Sequence, residues 1–214
     1  MAENFLFQGD SVTDAFRSRS DDNYAGNGYP SFVKAQLGCK YPGKFNFFNR
    51  GVSGDRIVDI YARIKSDIIN LRPDYMTVLV GINDVWHEIS RSNGVDAEKY
   101  GRVYDSLISE VREALPGIKI IILEPFVLEG FSTCDCEECP DRLETFMRET
   151  ALRSREAKRI AEKHGLPFVY LQDKFDEACK REAPSYWLYD GVHPSAMGHY
   201  IIKEALIECI EKII

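Results

Sequence analysis

The chain has 214 residues, of which 44% are hydrophobic, 12% aromatic and 29% charged. This composition can fill a hydrophobic core, and it excludes a disordered, collagen-like or coiled-coil protein. The formal net charge is −7 and no basic cluster stands out, so we expect neither nucleic acid nor an anionic membrane surface as a partner. The N-terminal residues lack the positive region of a signal peptide, and no apolar run approaches the roughly 18 residues of a membrane span. We therefore expect a cytoplasmic protein whose six cysteines are mostly reduced.

Short apolar runs alternate along the chain with longer segments in which apolar residues recur every three or four positions. The short runs predict five strands, over Phe5–Gln8, Phe45–Asn49, Tyr75–Val80, Lys119–Pro125 and Phe168–Leu171. The longer segments predict helices, carrying Ile57 to Ile68, Tyr104 to Leu115, Asp141 to Lys163 and Met197 to Ile213. This alternation is typical of a parallel sheet with helices on both faces. Because no repeat or linker interrupts it, we predict one doubly wound α/β domain over residues 1–214.

Small and polar residues follow the predicted strands directly. Ligands of a doubly wound sheet bind beyond the carboxyl ends of its strands, so these loops are the place to look for chemistry. The relevant segments are Gly9-Asp10-Ser11 after the first strand, Asn49-Arg50-Gly51 after the second, Gly81-Ile82-Asn83-Asp84 after the third, and Asp190-Gly191-Val192-His193 before the last helix.

A serine hydroxyl becomes a nucleophile only when a base takes its proton and a third group holds that base in the right tautomer. For Ser11 the best base among four histidines is His193, because Pro194 keeps it out of helical geometry and Asp190 lies three residues before it. The other histidines fit other roles: a helix C-terminal cap for His164, a structural position in the last helix for His199 and a pocket wall for His87.

Acyl transfer also needs hydrogen-bond donors aimed at the oxyanion that develops on the substrate. The backbone N–H groups of Ser11 and Gly51 and the side-chain amide of Asn83 stand at the ends of three predicted strands. Each block alone is ordinary turn chemistry. All of them in this order favour a hydrolytic site.

Together these blocks resemble those of the SGNH (GDSL-like) hydrolase family, from one end of the chain to the other. The resemblance implies a three-layer α/β/α, flavodoxin-like fold with a central five-stranded parallel sheet. It implies Ser11 as nucleophile, His193 as base and Asp190 as its orienting carboxylate, with Ser11, Gly51 and Asn83 as the oxyanion hole and no cofactor. The first block reads Gly-Asp-Ser-Val rather than Gly-Asp-Ser-Leu, which keeps its fourth position apolar.

Longer matches are similar to the intracellular acetylxylan esterases, namely Gly9 to Asp14, Gly81 to Trp86, Pro125-Phe126 with Glu129-Gly130, and Val192 to Ser195 with Gly198-His199. This resemblance implies a homo-oligomeric serine esterase that removes acetyl groups from small carbohydrate esters. Trp86 then walls the sugar or acyl pocket, or else belongs to the core. Asp14 and Arg56 are weaker candidates for the pocket, as residues that fix the nucleophile loop.

Three cysteines lie within six residues in a segment, about 130–141, that the resemblance does not explain. Cys134, Cys136 and Cys139 are a weak candidate for a zinc site, since a closed site normally has four ligands and no partner Cys-x-x-Cys pair is present. We expect an exposed polar insertion with reduced thiols rather than a metal site.

Two other functions remain open at the level of sequence. A lysophospholipase or thioesterase of the same fold would present a long apolar groove instead of a short pocket. A flavodoxin-like binding module would carry the serine and histidine incidentally. The first of these alternatives predicts preference for long acyl chains, and the second predicts that a fluorophosphonate fails to label Ser11.

Overall fold

A five-stranded parallel sheet forms the centre of the protein, whose structure is a computed structural model that describes residues 2–214. The strands are β1 Glu3–Gly9, β2 Phe45–Asn49, β3 Tyr75–Leu79, β4 Lys119–Leu123 and β5 Phe168–Val169. Their order across the sheet is β2-β1-β3-β4-β5, and each neighbouring pair is parallel. The predicted five-stranded parallel sheet is therefore confirmed.

Helices connect the strands and cover both faces of the sheet. They are α1 Ser11–Asp14, α2 Tyr29–Lys40, α3 Ile57–Ala62, α4 Ile82–Arg91, α5 Ala97–Ala114, α6 Arg142–His164, α7 Gln172–Cys179, α8 Pro184–Trp187 and α9 Ala196–Ile210. The third predicted helix corresponds to α6, which ends at a left-handed Gly165 as the sequence indicates.

The two faces of the sheet are packed by different helices because side chains alternate along a strand. From β1, Phe5 and Phe7 pack into one core with residues of α2, α7, α8 and α9, while Leu6 packs into the other with residues of α3, α5 and α6. All three side chains are fully buried. This arrangement is the expected three-layer α/β/α fold, and it fixes the sheet edge on which the loops converge.

One predicted helix differs from the structure. The apolar stripe from Ile57 to Ile68 forms α3 and then a separate π-helical segment, Lys65–Ile69. The break falls at Arg63, whose backbone leaves helical geometry and whose side chain binds Asp55 and the Arg50 carbonyl. The helix is thus interrupted where it is tied to the loop after β2. Within residues 2–214, no helix is both long and apolar enough to cross a membrane.

Candidate active site

The loops after β1, β2 and β3 lie side by side at the carboxyl edge of the sheet. Residue Phe7 of β1 pairs with Asn49 of β2, and Gly9 pairs with Leu79 of β3. Because β1 lies between the other two strands, the segments that carry Ser11, Gly51 and Asn83 leave the sheet at the same edge, as the sequence predicts.

Ser11 begins α1, a single turn that Asp10 caps. The Asp10 carboxylate accepts a hydrogen bond from the Val12 N–H at 3.0 Å, and the Asp10 carbonyl accepts one from the Asp14 N–H at 2.8 Å. The neighbouring loop packs so closely that a Cβ atom on Gly51 would lie 2.3 Å from the Asp14 nitrogen. Only glycine therefore allows this loop to approach the turn that carries Ser11.

A continuous chain of hydrogen bonds joins Ser11, His193 and Asp190. The Ser11 Oγ lies 2.9 Å from His193 Nε2, and His193 Nδ1 lies 2.7 Å from Asp190 Oδ2. A carboxylate only accepts hydrogen bonds, so Nδ1 carries the proton and Nε2 is free to accept the serine proton. The structure thus brings together three residues that lie up to 182 positions apart in the chain.

The turn that carries His193 is built around Asp190. Asp190 Oδ1 accepts the N–H groups of Val192 at 2.9 Å and His193 at 2.7 Å, so both carboxylate oxygens are held. Gly191 has a φ of +95°, and a Cβ atom there would lie 2.4 Å from Thr133 Oγ1. The Asp-Gly-Val-His order is therefore a geometric requirement of this turn.

Asp190 and His193 each stabilise the charged form of the other. Burial opposes ionisation of Asp190, but hydrogen bonds from the His193 side chain and from backbone N–H groups hold its pKa below the usual value. Burial also disfavours the His193 imidazolium, but the hydrogen bond and charge of Asp190 outweigh it and raise the pKa of His193. The histidine is consequently a stronger base than an isolated imidazole.

Two of the three candidate oxyanion donors, Asn83 and Gly51, already have hydrogen-bond partners in the structure. The Asn83 side chain, 6% exposed, donates one amide hydrogen to the Asp55 carbonyl at 3.1 Å and keeps a second one. The Gly51 N–H donates to Asn49 Oδ1 at 2.9 Å, so it reaches a substrate oxygen only by sharing or leaving that acceptor. Asn49 is a supporting residue that the sequence reasoning missed; its position at the end of β2 was the available signal.

Two aromatic rings lie on His193. The Trp86 ring centroid is 5.9 Å from the imidazole, and the Tyr189 ring is stacked on it at 5.7 Å and 17°. Trp86 also contacts Phe146, so it belongs both to the site and to a small apolar cluster. Tyr189, which is 52% exposed, was not predicted, although it directly precedes Asp190 in the sequence.

The two weaker pocket candidates occupy different places. Asp14 Oδ2 accepts hydrogen bonds from the N–H and hydroxyl of Ser53 at 3.1 and 3.0 Å, and so ties α1 to the loop after β2. The Arg56 guanidinium instead bonds to Asp59 and to the Asn93 carbonyl. The structure therefore brings Asp14 to the nucleophile loop but not Arg56, which joins the start of α3 to the connection after α4.

Two of the remaining histidines, His199 and His164, have hydrogen-bond partners away from the triad. His199 Nδ1 accepts the Tyr29 N–H at 3.2 Å, and burial lowers the pKa of His199 to about 4, so it is neutral and structural as predicted. His164 lies at the end of α6 and bonds to Asp105 at 2.7 Å. His87 is part of α4, which begins directly after the loop of β3.

The cysteine segment carries the weak candidate for a metal site, Cys134, Cys136 and Cys139. Across residues 2–214, no group of three or more histidine, cysteine, aspartate or glutamate side chains is arranged to hold a metal ion. Cys134, Cys136 and Cys139 are free thiols in an exposed or half-exposed turn.

Comparison with known proteins gives the same picture as the geometry. The model of the GDSL-like lipase/acylhydrolase family matches residues 7–201, which include every member of the hydrogen-bonded triad. The chain belongs to this family. As a GDSL-like acylhydrolase it is a carboxylic ester hydrolase, and the binding-module alternative is not favoured.

Relatives within the family are similar over almost the whole chain. An acetylxylan esterase of Geobacillus stearothermophilus is 33% identical over 214 residues, covering 96% of this chain and 92% of that protein. The crystal structure of that enzyme, Axe2, superposes with a TM-score of 0.82 at 33% identity, covering 96% of this chain and 93% of that chain. A Parabacteroides merdae protein assigned as a GDSL-like lipase reaches 0.88 at 30% identity, covering 96% and 94%. Two further structures are catalytic mutants of Axe2. In one an aspartate is replaced by alanine, and in the other a serine is replaced by alanine.

Asp10 gives this acylhydrolase a testable dependence of stability on pH. Its side chain is 1% exposed, and burial raises the pKa of Asp10 to about 7 from 3.8. The folded state thus holds this proton more tightly than the unfolded chain does, so the group's contribution to stability declines as pH rises through about 7.

We expect Asp10→Asn to keep the acceptor for the Val12 N–H while removing the titration. Relative to the protein with Asp10, the variant's free energy of unfolding should rise by up to about 4 kcal/mol between pH 4 and pH 8. This value follows from a pKa shift of roughly three units at about 1.4 kcal/mol per unit. Urea unfolding at several pH values measures this, with the exposed Asp173→Asn as control. A difference that is constant with pH would show that Asp10 titrates alike in both states.

Proposed function

We propose that this acylhydrolase is a serine esterase that removes acetyl groups from small carbohydrate esters, with Ser11 as the nucleophile. The observation that carries the proposal is the hydrogen-bonded chain from Ser11 through His193 to Asp190 at the sheet edge. The similarity of this protein to Axe2, an acetylxylan esterase, supports the acetyl and carbohydrate parts of the proposal. Axe2 variants that lack a serine or an aspartate are described as catalytic mutants, which supports a role for these residue types.

In the proposed reaction, His193 Nε2 takes the Ser11 proton as Oγ attacks the acetyl carbonyl carbon. The imidazolium that results is stabilised by Asp190, and it then protonates the departing sugar hydroxyl as the carbon–oxygen ester bond breaks. Water, deprotonated by the same histidine, attacks the acetyl-enzyme and releases acetate and free Ser11. No metal or cofactor takes part in this scheme.

The oxyanion of each tetrahedral intermediate needs donors that are fixed before the reaction. We propose the Ser11 N–H, the Gly51 N–H and the Asn83 amide for this role. Asn83 has an uncommitted amide hydrogen, whereas the Gly51 N–H must be shared with Asn49. Removal of the Asn83 amide should therefore lower kcat clearly.

Substituting Asn83 tests this assignment. We expect Asn83→Ala to lower kcat on an activated acetate ester by about 10²–10³-fold with little change in KM, because the lost bond forms mainly in the transition state. Steady-state kinetics with Asn70→Ala, an exposed amide, provide the comparison. Undiminished turnover of the Asn83 variant would contradict its role.

Trp86 and Tyr189 favour a short acyl group. Both rings lie against the imidazole that must meet the substrate, which narrows the approach to Ser11 and offers aromatic faces to a sugar. A lysophospholipase or thioesterase would need room here for a long chain. The length of the acyl chain is therefore the substrate property that distinguishes an acetyl esterase from a lysophospholipase or thioesterase.

Acetate release from acetylated xylo-oligosaccharides, acetylated monosaccharides and short acyl-thioesters tests the proposed substrate class. We expect the oligosaccharides to be the best substrates, and p-nitrophenyl acetate to be hydrolysed faster than the octanoate. Ser11→Ala should abolish both hydrolysis and fluorophosphonate labelling, while the exposed Ser20→Ala should change neither. A clear preference for octanoate would overturn the acetyl assignment.

We further propose that the enzyme works in the cytoplasm as a homo-oligomer. Six unpaired cysteines favour a reducing compartment. Exposed aromatic and methionine side chains on α8 and α9 offer an apolar surface to a second copy, namely Tyr186, Met197 and Tyr200. Light scattering should give a mass above the 24.5 kDa of one chain, and a monomer mass would exclude this assembly.

A further inference from the structure

The cysteine segment is the part of the chain that ester hydrolysis leaves unused. It lies between β4 and α6 and holds three of the six cysteines, all with free thiols. Cys136 is exposed, and Cys134 and Cys139 are partly exposed. Accessible thiols this close in sequence do not serve to fill the core, and they can react with oxidants or with one another.

Cys136 and Cys139 face each other across a tight turn. The Cys136 N–H donates to the Cys139 carbonyl at 3.2 Å, and the Cys139 N–H donates to the Cys136 carbonyl at 3.0 Å. This is a hydrogen-bonded antiparallel pair, with Glu137 and Glu138 as its two-residue turn. Side chains of directly opposed residues lie on the same face, with Cα atoms about 5.5 Å apart. Disulfides bridge Cα separations of roughly 4.4–6.8 Å.

We propose that Cys136 and Cys139 are an oxidation site that forms a reversible intramolecular disulfide. With a small disulfide such as oxidised glutathione, one cysteine thiolate attacks a sulfur atom, and the first glutathione leaves as a thiolate. The other cysteine thiolate then attacks the mixed disulfide and displaces the second glutathione. The two cysteines lose two protons and two electrons, and the glutathione disulfide becomes two thiols.

The neighbouring cysteines do not share this geometry. Cys134 lies in the preceding turn, where its N–H donates to the Gly130 carbonyl and its Sγ lies 3.7 Å from the Phe131 carbonyl oxygen. The other three cysteines, Cys39, Cys179 and Cys209, belong to α2, α7 and α9. Only the pair at 136 and 139 is already held in register by its backbone.

The same geometry makes the bond easy to reduce. Cβ atoms of directly opposed residues are about 4.5–5.5 Å apart, whereas a disulfide needs roughly 3.5–4.5 Å. Closing the bond therefore contracts the turn, and a strained disulfide has a more oxidising potential. The site is suited to reversible oxidation rather than to permanent cross-linking.

The turn is continuous with a segment that supports the acid of the triad. The Ser132 N–H donates to the Asp190 carbonyl at 3.0 Å, and a Cβ atom on Gly130 would lie 2.2 Å from the Gly191 nitrogen. Asp135, directly before the turn, contacts α6 through Oδ1, which accepts the N–H of Leu143 in the first turn of that helix at 3.0 Å. Oxidation thus cross-links a turn within the segment that contacts both the Asp190 turn and α6.

The test uses the reduced full-length enzyme, exposed to millimolar oxidised glutathione and then denatured for thiol counting. We expect Cys136 and Cys139 to lose both of their thiols, with a mass loss of about 2 Da in the segment that holds them and no glutathione adduct of about 305 Da on either one. The exposed Cys39 is scored separately, on its own peptide. Glu-specific protease cuts between the two cysteines, so the two resulting peptides should remain linked until a reductant is added.

Matched variants locate the bond. Cys134→Ser should still lose two thiols, whereas Cys136→Ser and Cys139→Ser should form no intramolecular disulfide. Six retained thiols, mixed adducts alone, or linked peptides that contain Cys134 would overturn the proposal. Thiol counts and peptide masses do not depend on hydrolysis, so this result stands apart from that of the esterase assignment.

Discussion

The hydrogen bonds from Asp190 through His193 to Ser11 set the main constraint on this fold. Asp190 and His193 share one turn, so their contact is local and depends mainly on Gly191. The contact with Ser11 is not local, because the serine follows the first strand and the histidine precedes the last helix. In this protein a parallel sheet whose strands all end at one edge brings the two segments together, and the packing on both faces keeps that edge in place.

Keeping polar groups ready for chemistry opposes stability in this site. Asp10 is buried beside Ser11, where burial raises its pKa, and Asp190 is buried with both carboxylate oxygens committed to hydrogen bonds. Such groups are costly to remove from water, and they are retained where function requires a fixed arrangement. The apolar cores on the two faces of the sheet, with side chains such as Phe5 and Leu6 fully buried, offset this cost.

The sequence revealed what depends on local pattern and missed what depends on tertiary contact. The strands and the order of the motif blocks could be predicted because both are written in short runs of residues. The apolar pattern does not predict α2, α4, α7 or α8, two of which are eight residues or fewer. It also cannot show that Arg63 interrupts a helix, that Asn49 accepts the Gly51 N–H, or that Tyr189 stacks on His193, since these contacts appear only when distant segments meet.

The position of the triad along the chain has a consequence for biosynthesis. β1 is an inner strand of the sheet and precedes both of its neighbours, β2 and β3, in the chain. His193 and Asp190 follow Ser11 by about 180 residues, in the last turn before α9. Chains emerge from the ribosome N-terminus first, at about 5–20 residues per second. A nascent chain therefore contains Ser11 long before it contains Asp190 and His193, and the hydrogen bonds that join the three residues form only after the last of them has emerged.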